Sequence, residues 1–568
     1  MDTTPKGKPR RSLELSLWDA FNTPLHRAGL AGLYLTLESL EADRGKIIDW
    51  QLGEDAIALS WDCSDREALT WLLEQTYRVD GDELISIPAL SIDDMGLKVF
   101  LHNGILSTFL QHGQSRTKTS KQNRSISLDE NTQKEIEYTG LATYNFRDLK
   151  PYTKKGLYDK QDNFRPFVAI KGWLYPGAAE KHVAVSGTSW EESSEGFFCL
   201  LFAPIACGYY QIKSRLQTTK YKWALIIPHI KDLTAFARAY RRSGFSSFRY
   251  YRDTYVTGLP DASLYHLVQL VGDEAIAQHS LDSCEVWTFG TMPWSEKQKS
   301  ITRRERVRLN AQLRSLYKIC SNRLKNGVKV GKKGAWVDVS FGREIVTENL
   351  LAGRAWYSRF HEVLRFKSET FEQLYYESGG LHNMKELTIE KGLTEDMATL
   401  FSDAVTWQIY KKRQQAGSVA SDKPNYDKVK TDFLMSIRSC RTQKSFNHLF
   451  LKIFGNPASL YNPFVEGENF VQLQAWSKQN WQDCLSLIVL AVIGYRNPWL
   501  VPRTYKKLVK IWREKNENSK EKQWKIPQYA IDKMGVIDPD AIASDELEDS
   551  PEYHEDVDAD TDDEDIDI

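Results

Sequence analysis

No stretch of this 568-residue chain approaches the run of about 18 apolar residues that a membrane-spanning helix needs. The two longest apolar segments, 197–210 and 484–495, read as buried strand or core helix. The opening MDTTPKGKPRRSLEL is basic, but no apolar stretch follows it, so a secretory leader is not expected. Cysteine is scarce. The seven thiols, at 63, 199, 207, 284, 320, 440 and 484, are odd in number, widely spaced and without a CxxC pair. That pattern argues against a disulfide scaffold or zinc site and for reduced, mostly buried thiols in a cytoplasmic protein. The sequence also lacks GxxxxGK[ST], HExxH, GxSxG and HD signatures. Its eleven histidines are scattered, and one such as His26, in an otherwise apolar helix, reads as a core or capping group. A metal-dependent nuclease needs carboxylates converging on Mg²⁺, typically beside a lysine on a strand. Asp282 and Glu285 stand near the start of the strand-like CEVWTFG, but no lysine accompanies them. The expectation is a protein that is not an enzyme and carries no metal or cofactor. A metal-dependent nuclease is the alternative.

Apolar residues make up 41% of the chain and aromatics 12%, enough for real cores, and the length suggests three or four domains. The net charge of −1 is a cancellation. Residues 538–568 carry about 16 acids and no lysine or arginine, a block expected to stay solvated and disordered. The remaining body carries about +15, which favours a polyanionic partner.

The fold class expected is α+β, with mixed α/β N-terminal and middle regions and an all-helical C-terminal bundle. Residues 1–130 form an N-terminal unit. Thr23-Pro24 starts a helix, 47–52 and 56–61 flank Gly53-Glu54-Asp55 as a hairpin, and Ser64 with Glu67 caps a second helix. A strand near Leu84 and an apolar helix over 96–111 complete it. Residues 111–127 have no periodicity and read as a long exposed basic loop. Residues 131–345 alternate strand-like runs (EIEYTGLATYNF, FVAIKGWLY, KWALIIP, CEVWTFG) with helix-like ones and end in a basic segment, 296–334. Residues 346–535 show apolar positions three and four apart, as in a helical domain, and 536–568 is the acidic tail.

Two clusters carry the binding chemistry. Segment 296–334 holds about 13 basic residues against two acids, among them Lys297, Lys299, Arg303, Arg304, Arg306, Lys332 and Lys333, interleaved with Tyr317 and Trp336. Flexible cations make salt-dependent phosphate contacts, and guanidinium groups add bidentate geometry. The other reading is a solvated face, against which stands the shortage of acids in the segment. In 111–127, Arg116, Lys118, Lys121, Asn123 and Arg124 combine charge with side chains that read base edges; the alternative is an ordinary surface loop. RRSGFSSFRYYRD (241–253) and YTKKGLYDK (152–160) mix cations and tyrosines, either to stack on bases or as core tyrosines beside surface arginines.

TPLHRAGLAGLYLTLESL (23–40) resembles the N-terminal motif of the CRISPR-associated large subunit of the MYXAN subtype, and VWTFGTMPWSEKQKSITRR (286–304) is similar to a second stretch of that family. In physical terms the glycines and alanines of the first motif let another backbone pack closely on the helix. The resemblance implies the large subunit of a type I Cascade effector close to subtype I-B. Such a subunit recognises the protospacer-adjacent motif in double-stranded DNA, aids strand opening and holds the displaced strand beside the small subunits, while guide pairing reads sequence. The partners implied are a guide RNA complex, target DNA, the backbone, foot and small subunits, and a helicase-nuclease or transposition proteins. A stand-alone nucleic-acid-binding regulator is a further alternative. Met384, Met397 and Met435 are candidate internal starts for a separate small subunit, or ordinary methionines. The acidic tail either competes with nucleic acid, recruits a basic partner or serves solubility.

Overall fold

The structure, a computed structural model, describes residues 11–19, 22–110, 117–127, 133–143, 156–170, 174–177, 190–214, 221–248, 250, 252–271, 281–291, 300–331, 334–365, 373–416, 424–455, 462, 464–465 and 467–494. The basic end of the helical region and the acidic tail lie outside them, as do Arg116, Lys297, Lys299, Lys332 and Lys333.

The elements run β1 (Arg11–Ser16), α1 (Pro24–Ser39), β2 (Ile48–Leu52), β3 (Ala56–Trp61), α2 (Asp65–Thr76), β4 (Arg78–Val79), β5 (Ile85–Ser86), α3 (Met95–Thr108), β6 (Thr117–Ser127) and β7 (Gln133–Thr143). Then follow β8 (Phe167–Ile170), β9 (Trp190–Ser193), α4 (Ser194–Leu200), α5 (Ala203–Ala206), β10 (Gly208–Ile212), β11 (Tyr221–Pro228), α6 (Leu233–Arg242), β12 (Tyr255–Val256), α7 (Leu259–Val271), β13 (Ser283–Thr291) and β14 (Ser300–Arg308). Next come α8 (Ala311–Arg323), β15 (Gly327–Gly331), β16 (Gly334–Asp338) and α9 (Phe341–Leu351). Beyond them the described residues are helical, from Ser378–Glu390 to Trp481–Gly494. The fold is α+β, as expected.

The N-terminal unit folds as its caps and turns dictate. Antiparallel β2 and β3 form the anticipated hairpin, and β1 joins it to give the order β1-β3-β2. The Ser64 hydroxyl accepts from the Glu67 amide at 3.2 Å and starts α2. At the start of α1, His26 is a capping group. Its Nδ1 accepts from the Thr23 amide at 3.3 Å, while its Nε2 stands 3.3 Å from Glu192 Oε2.

Helix α1 is buried on nearly every side, because its glycines admit other backbones. A Cβ on Gly29 would lie 2.0 Å from the Cys199 carbonyl oxygen, and one on Gly32 2.1 Å from that of Phe202. The small-residue motif therefore seats α4 and the start of α5 against α1. Gly29→Ala should cost about 1–3 kcal/mol through overpacking, whereas Gly81→Ala, where a Cβ meets nothing within 4 Å, should be near neutral in the same thermal-shift assay. Equal midpoints for the two variants would contradict the close-packing account.

The central sheet has the order β12-β10-β11-β13-β14, antiparallel except for the parallel β10–β12 pair. Both its faces are covered, and alternate residues feed different cores. Tyr209, Leu225, Ile227, Trp287 and Phe289 join the core of the N-terminal unit. Tyr210, Ala224, Ile226, Cys284 and Val286 join a core that continues through α7–α9 into the C-terminal helices. That second core contains a buried polar junction. Asp261 of α7, fully inaccessible, accepts at Oδ1 from Arg343 Nε of α9 (2.8 Å) and from the Tyr317 hydroxyl of α8 (2.7 Å), and at Oδ2 from the Thr257 amide (2.9 Å).

The candidate internal starts sit differently within this core. Met384 is buried in it and Met435 is exposed. A product beginning at Met384 would forfeit the packing of Phe360 and Val363 and the His361 Nδ1 to Ser486 Oγ contact of 2.9 Å.

A third, small core joins Leu84, Val99, Ile126, Ile136, Tyr138, Val337 and Val339. It roots two hairpins, β6–β7 and β15–β16, side by side.

Candidate nucleic-acid interface

Residues 117–127, expected as a loop, are strand β6 paired with β7. A polar sequence makes a strand here because one face is anchored. Ile126, Ile136 and Tyr138 enter the small core, the Tyr138 hydroxyl donates to the Asp82 carbonyl (2.7 Å), and the Leu141 amide donates to the Glu83 carbonyl (3.0 Å). Alternation then divides the candidate residues between two faces. Arg124 lies on the docked side, where its Nε donates to Asp82 Oδ1 at 3.1 Å and its Nη2 makes a second ion-pair contact to the same oxygen. It works as an anchor for the hairpin. Lys121 and Asn123 face outward and are exposed, with Lys121 Nζ 2.8 Å from Glu137 Oε1. Lys118 lies in β6, beside an irregularity in the pairing register.

The second cluster is strand β14 at the edge of the central sheet, hydrogen-bonded along one side to β13. Its sequence SITRRERVR places Arg304, Arg306 and Arg308 on one face, roughly 7 Å apart at the rise of an extended strand. Arg304 ion-pairs with Glu285 at 2.9 Å, and its guanidinium lies over the Trp287 ring at 4.9 Å. Arg308 Nε donates to Asp282 Oδ2 at 3.0 Å, and Lys231 reaches the same carboxylate at 3.4 Å. Burial alone would raise the Asp282 carboxyl, but Lys231 and Arg308 outweigh it and hold it below its ordinary value. Arg306 differs. Its Nη2 stands 3.2 Å from His229 Nδ1, and burial together with Arg306 itself keeps that imidazole below its usual range. A neutral ring accepts the hydrogen bond and leaves the Arg306 charge uncompensated by that contact. Arg303 points to the other face and pairs with Glu305.

Apart from Glu305, which pairs with Arg303, the acids that balance these cations come from outside the 296–334 segment. The cationic ends of the Asp282 and Glu285 pairs are exposed while the carboxylates are largely buried, so the cations stay within reach of a phosphate. Asp282 is ion-paired with Lys231 and Arg308, and Glu285 with Arg304. Among the described residues no group of three or more His, Cys, Asp or Glu is placed to hold a metal ion, and no helix is long and apolar enough to cross a membrane.

The tyrosines weighed as stacking platforms are packed against or within the cores where described. Tyr158 stacks on Phe164 at 5.8 Å under Arg66, and Tyr250 packs against Phe100 and Tyr255. Tyr317 belongs to the buried junction. Two exposed cations not named as candidates from the sequence join the set, Lys231 and Arg308, and Trp336, noted beside the basic segment, is exposed as well. Arg308 was legible as the next member of the alternation. Lys231, about 70 residues away in sequence from β14, carried no such signal.

Residues 14–201 match the model of the DevT N-terminal domain, a span that runs from β1 to the end of α4 and holds both sides of the Gly29–Cys199 contact. Over 378 residues, 61% of this chain, the sequence is 26% identical to the CRISPR-associated protein Cas8a1/Csx13 of Myxococcus xanthus (strain DK1622). The chain is a homologue of that protein. The aligned part takes in 63% of the Cas8a1/Csx13 chain, just under two thirds of its length. The resemblance read from residues 23–40 is thereby borne out as a likeness to a CRISPR-associated protein.

Proposed function

We propose that this protein is the non-catalytic large subunit of an RNA-guided type I Cascade complex, of a I-B-like kind. In this reading it works in antiviral defence or RNA-guided transposition, in the cytoplasm. Its division of labour is the one in which guide pairing reads the target and the protein supplies backbone charge and a short duplex check. The observation that carries this reading is the likeness to Cas8a1/Csx13 over 61% of the chain. The cationic surfaces support it. The outward arginines of β14 with Lys231 would track a phosphate backbone, and the outward edge of β6, with Lys121 and Asn123, would meet the protospacer-adjacent motif in duplex DNA. Lys118 of β6 would add charge, as would Arg116, Lys297, Lys299, Lys332 and Lys333, which lie outside the described residues. Strand opening and retention of the displaced strand follow from the same surface. A division at about residues 130, 345 and 535 remains the working domain scheme.

The test is co-expression with its neighbouring proteins and a repeat-spacer array, followed by purification through a tag on this chain. The expected result is a complex containing one RNA of defined length that binds matched duplex DNA. A protein that purifies alone, free of RNA, and cleaves DNA with Mg²⁺ would overturn the proposal and restore the nuclease reading.

A further inference from the structure

Trp336 lies on the outward face of the β15–β16 hairpin, directly across from Lys329, and is 46% exposed. It has no hydrogen-bond or ring partner among the described residues, although most other large aromatics of the fold are buried in cores. The next residue, Val337, points the opposite way into the small core with Ile126, Ile136 and Tyr138, and its carbonyl accepts from Lys213 Nζ. Lys329 Nζ is tied to Asp338 at 2.9 Å, which holds that cation beside the indole. The hairpin is thus fixed from behind and presents a flat π-face to solvent next to positive charge. Valine or threonine at 336 would satisfy a two-stranded ladder equally well. An indole adds only apolar area in water, unless something flat covers it.

We infer that Trp336 is a stacking platform for an unpaired nucleobase of single-stranded nucleic acid, with Lys329 beside it to meet a flanking phosphate. This rests on the nucleic-acid reading above and narrows it: the hairpin engages an opened strand and not the intact duplex. The reason is geometric. A paired base has no free face, and exposing one requires unstacking the helix, whereas a single strand offers a π-face at every residue regardless of sequence.

The experiment compares the full chain with Trp336→Ala and Trp336→Phe by fluorescence anisotropy. The probes are an oligothymidylate of about 20 nucleotides and a duplex of equal length. The alanine variant should bind the single strand about 5- to 100-fold more weakly, lose less than about twofold on the duplex, and melt as the wild type does. The phenylalanine variant should recover most of the single-strand affinity. Equal losses on both probes, or none on either, would overturn the inference while leaving the wider function standing. Unchanged nucleic-acid affinities with a loss of co-purifying proteins would reassign Trp336 to a protein contact and equally overturn it. Wild-type chain that binds neither probe would remove both the inference and the function it rests on.

Discussion

Replacing Asp261 by alanine should lower stability by about 3–5 kcal/mol, because it strands the Arg343 guanidinium inside the protein. Arg343 is almost wholly buried, and Asp261 faces it at 2.8 Å from Nε and 2.7 Å from Nη2. Tyr317 closes the triangle: its hydroxyl donates to Asp261 and accepts from Arg343 Nη2 at 2.8 Å. The Thr257 amide satisfies the other carboxylate oxygen. The junction therefore pins α7, α8 and α9 together beneath one face of the central sheet, and it is satisfied on every side the geometry shows. Removing one partner leaves a charge that neither water nor another acid can reach. The thermal midpoint should fall on the order of 5–10 °C. Asp261→Asn, which keeps the shape but loses the charge, should fall nearly as far. The double variant Asp261→Leu/Arg343→Met removes both charges and should recover much of the loss, since apolar residues of similar volume replace a buried pair at little cost. A single alanine variant melting with the wild type would mean that the junction contributes nothing to holding these helices.

What could be read from the chain divides along physical lines. Local signals were legible: the Thr23-Pro24 start and the Ser64 cap depend on residues three apart and the 47–61 hairpin on residues at most 13 apart, and each is in place. The role of Gly29 and Gly32 as close-packing positions was legible too, though not that α4 and α5 are what they admit. Strand β1, RSLELS, was missed because its buried residues are few and its alternation is short. Strand β6 was missed because its one strongly apolar residue is Ile126, and its anchors, Asp82 and Glu83, lie some forty residues earlier. The same distance in sequence hid the balance of charge. Segment 296–334 looks nearly acid-free on its own, yet Asp282 and Glu285 face its arginines across the β13–β14 ladder. Charge counted along a segment measures composition; pairing across a sheet decides which cations remain available.

That distinction sets the second large effect. Reversing Arg304, Arg306 and Arg308 to glutamate should weaken DNA binding on the order of 100-fold or more near physiological salt, on matched and unmatched sequences alike, because these groups would meet phosphate and not bases. The salt dependence is the sharper readout: removing one cation from a phosphate should reduce the slope of log affinity against log salt by about 0.9. Within the set, Arg306→Glu should be the most damaging single change. The partner that the geometry gives Arg306 is the neutral His229, whereas Arg304 and Arg308 already share carboxylates and surrender part of their charge to them. Lys121→Glu, on the outward face of β6, should affect a particular motif more than bulk affinity. Arg124→Glu should act by another route, placing a carboxylate against Asp82, loosening the hairpin and lowering the melting temperature along with binding. Titrations at several salt concentrations, run beside thermal melts, separate these cases. A triple reversal on β14 that leaves the salt slope unchanged would mean that this edge does not touch nucleic acid, and that the excess positive charge of the body is spent on another surface.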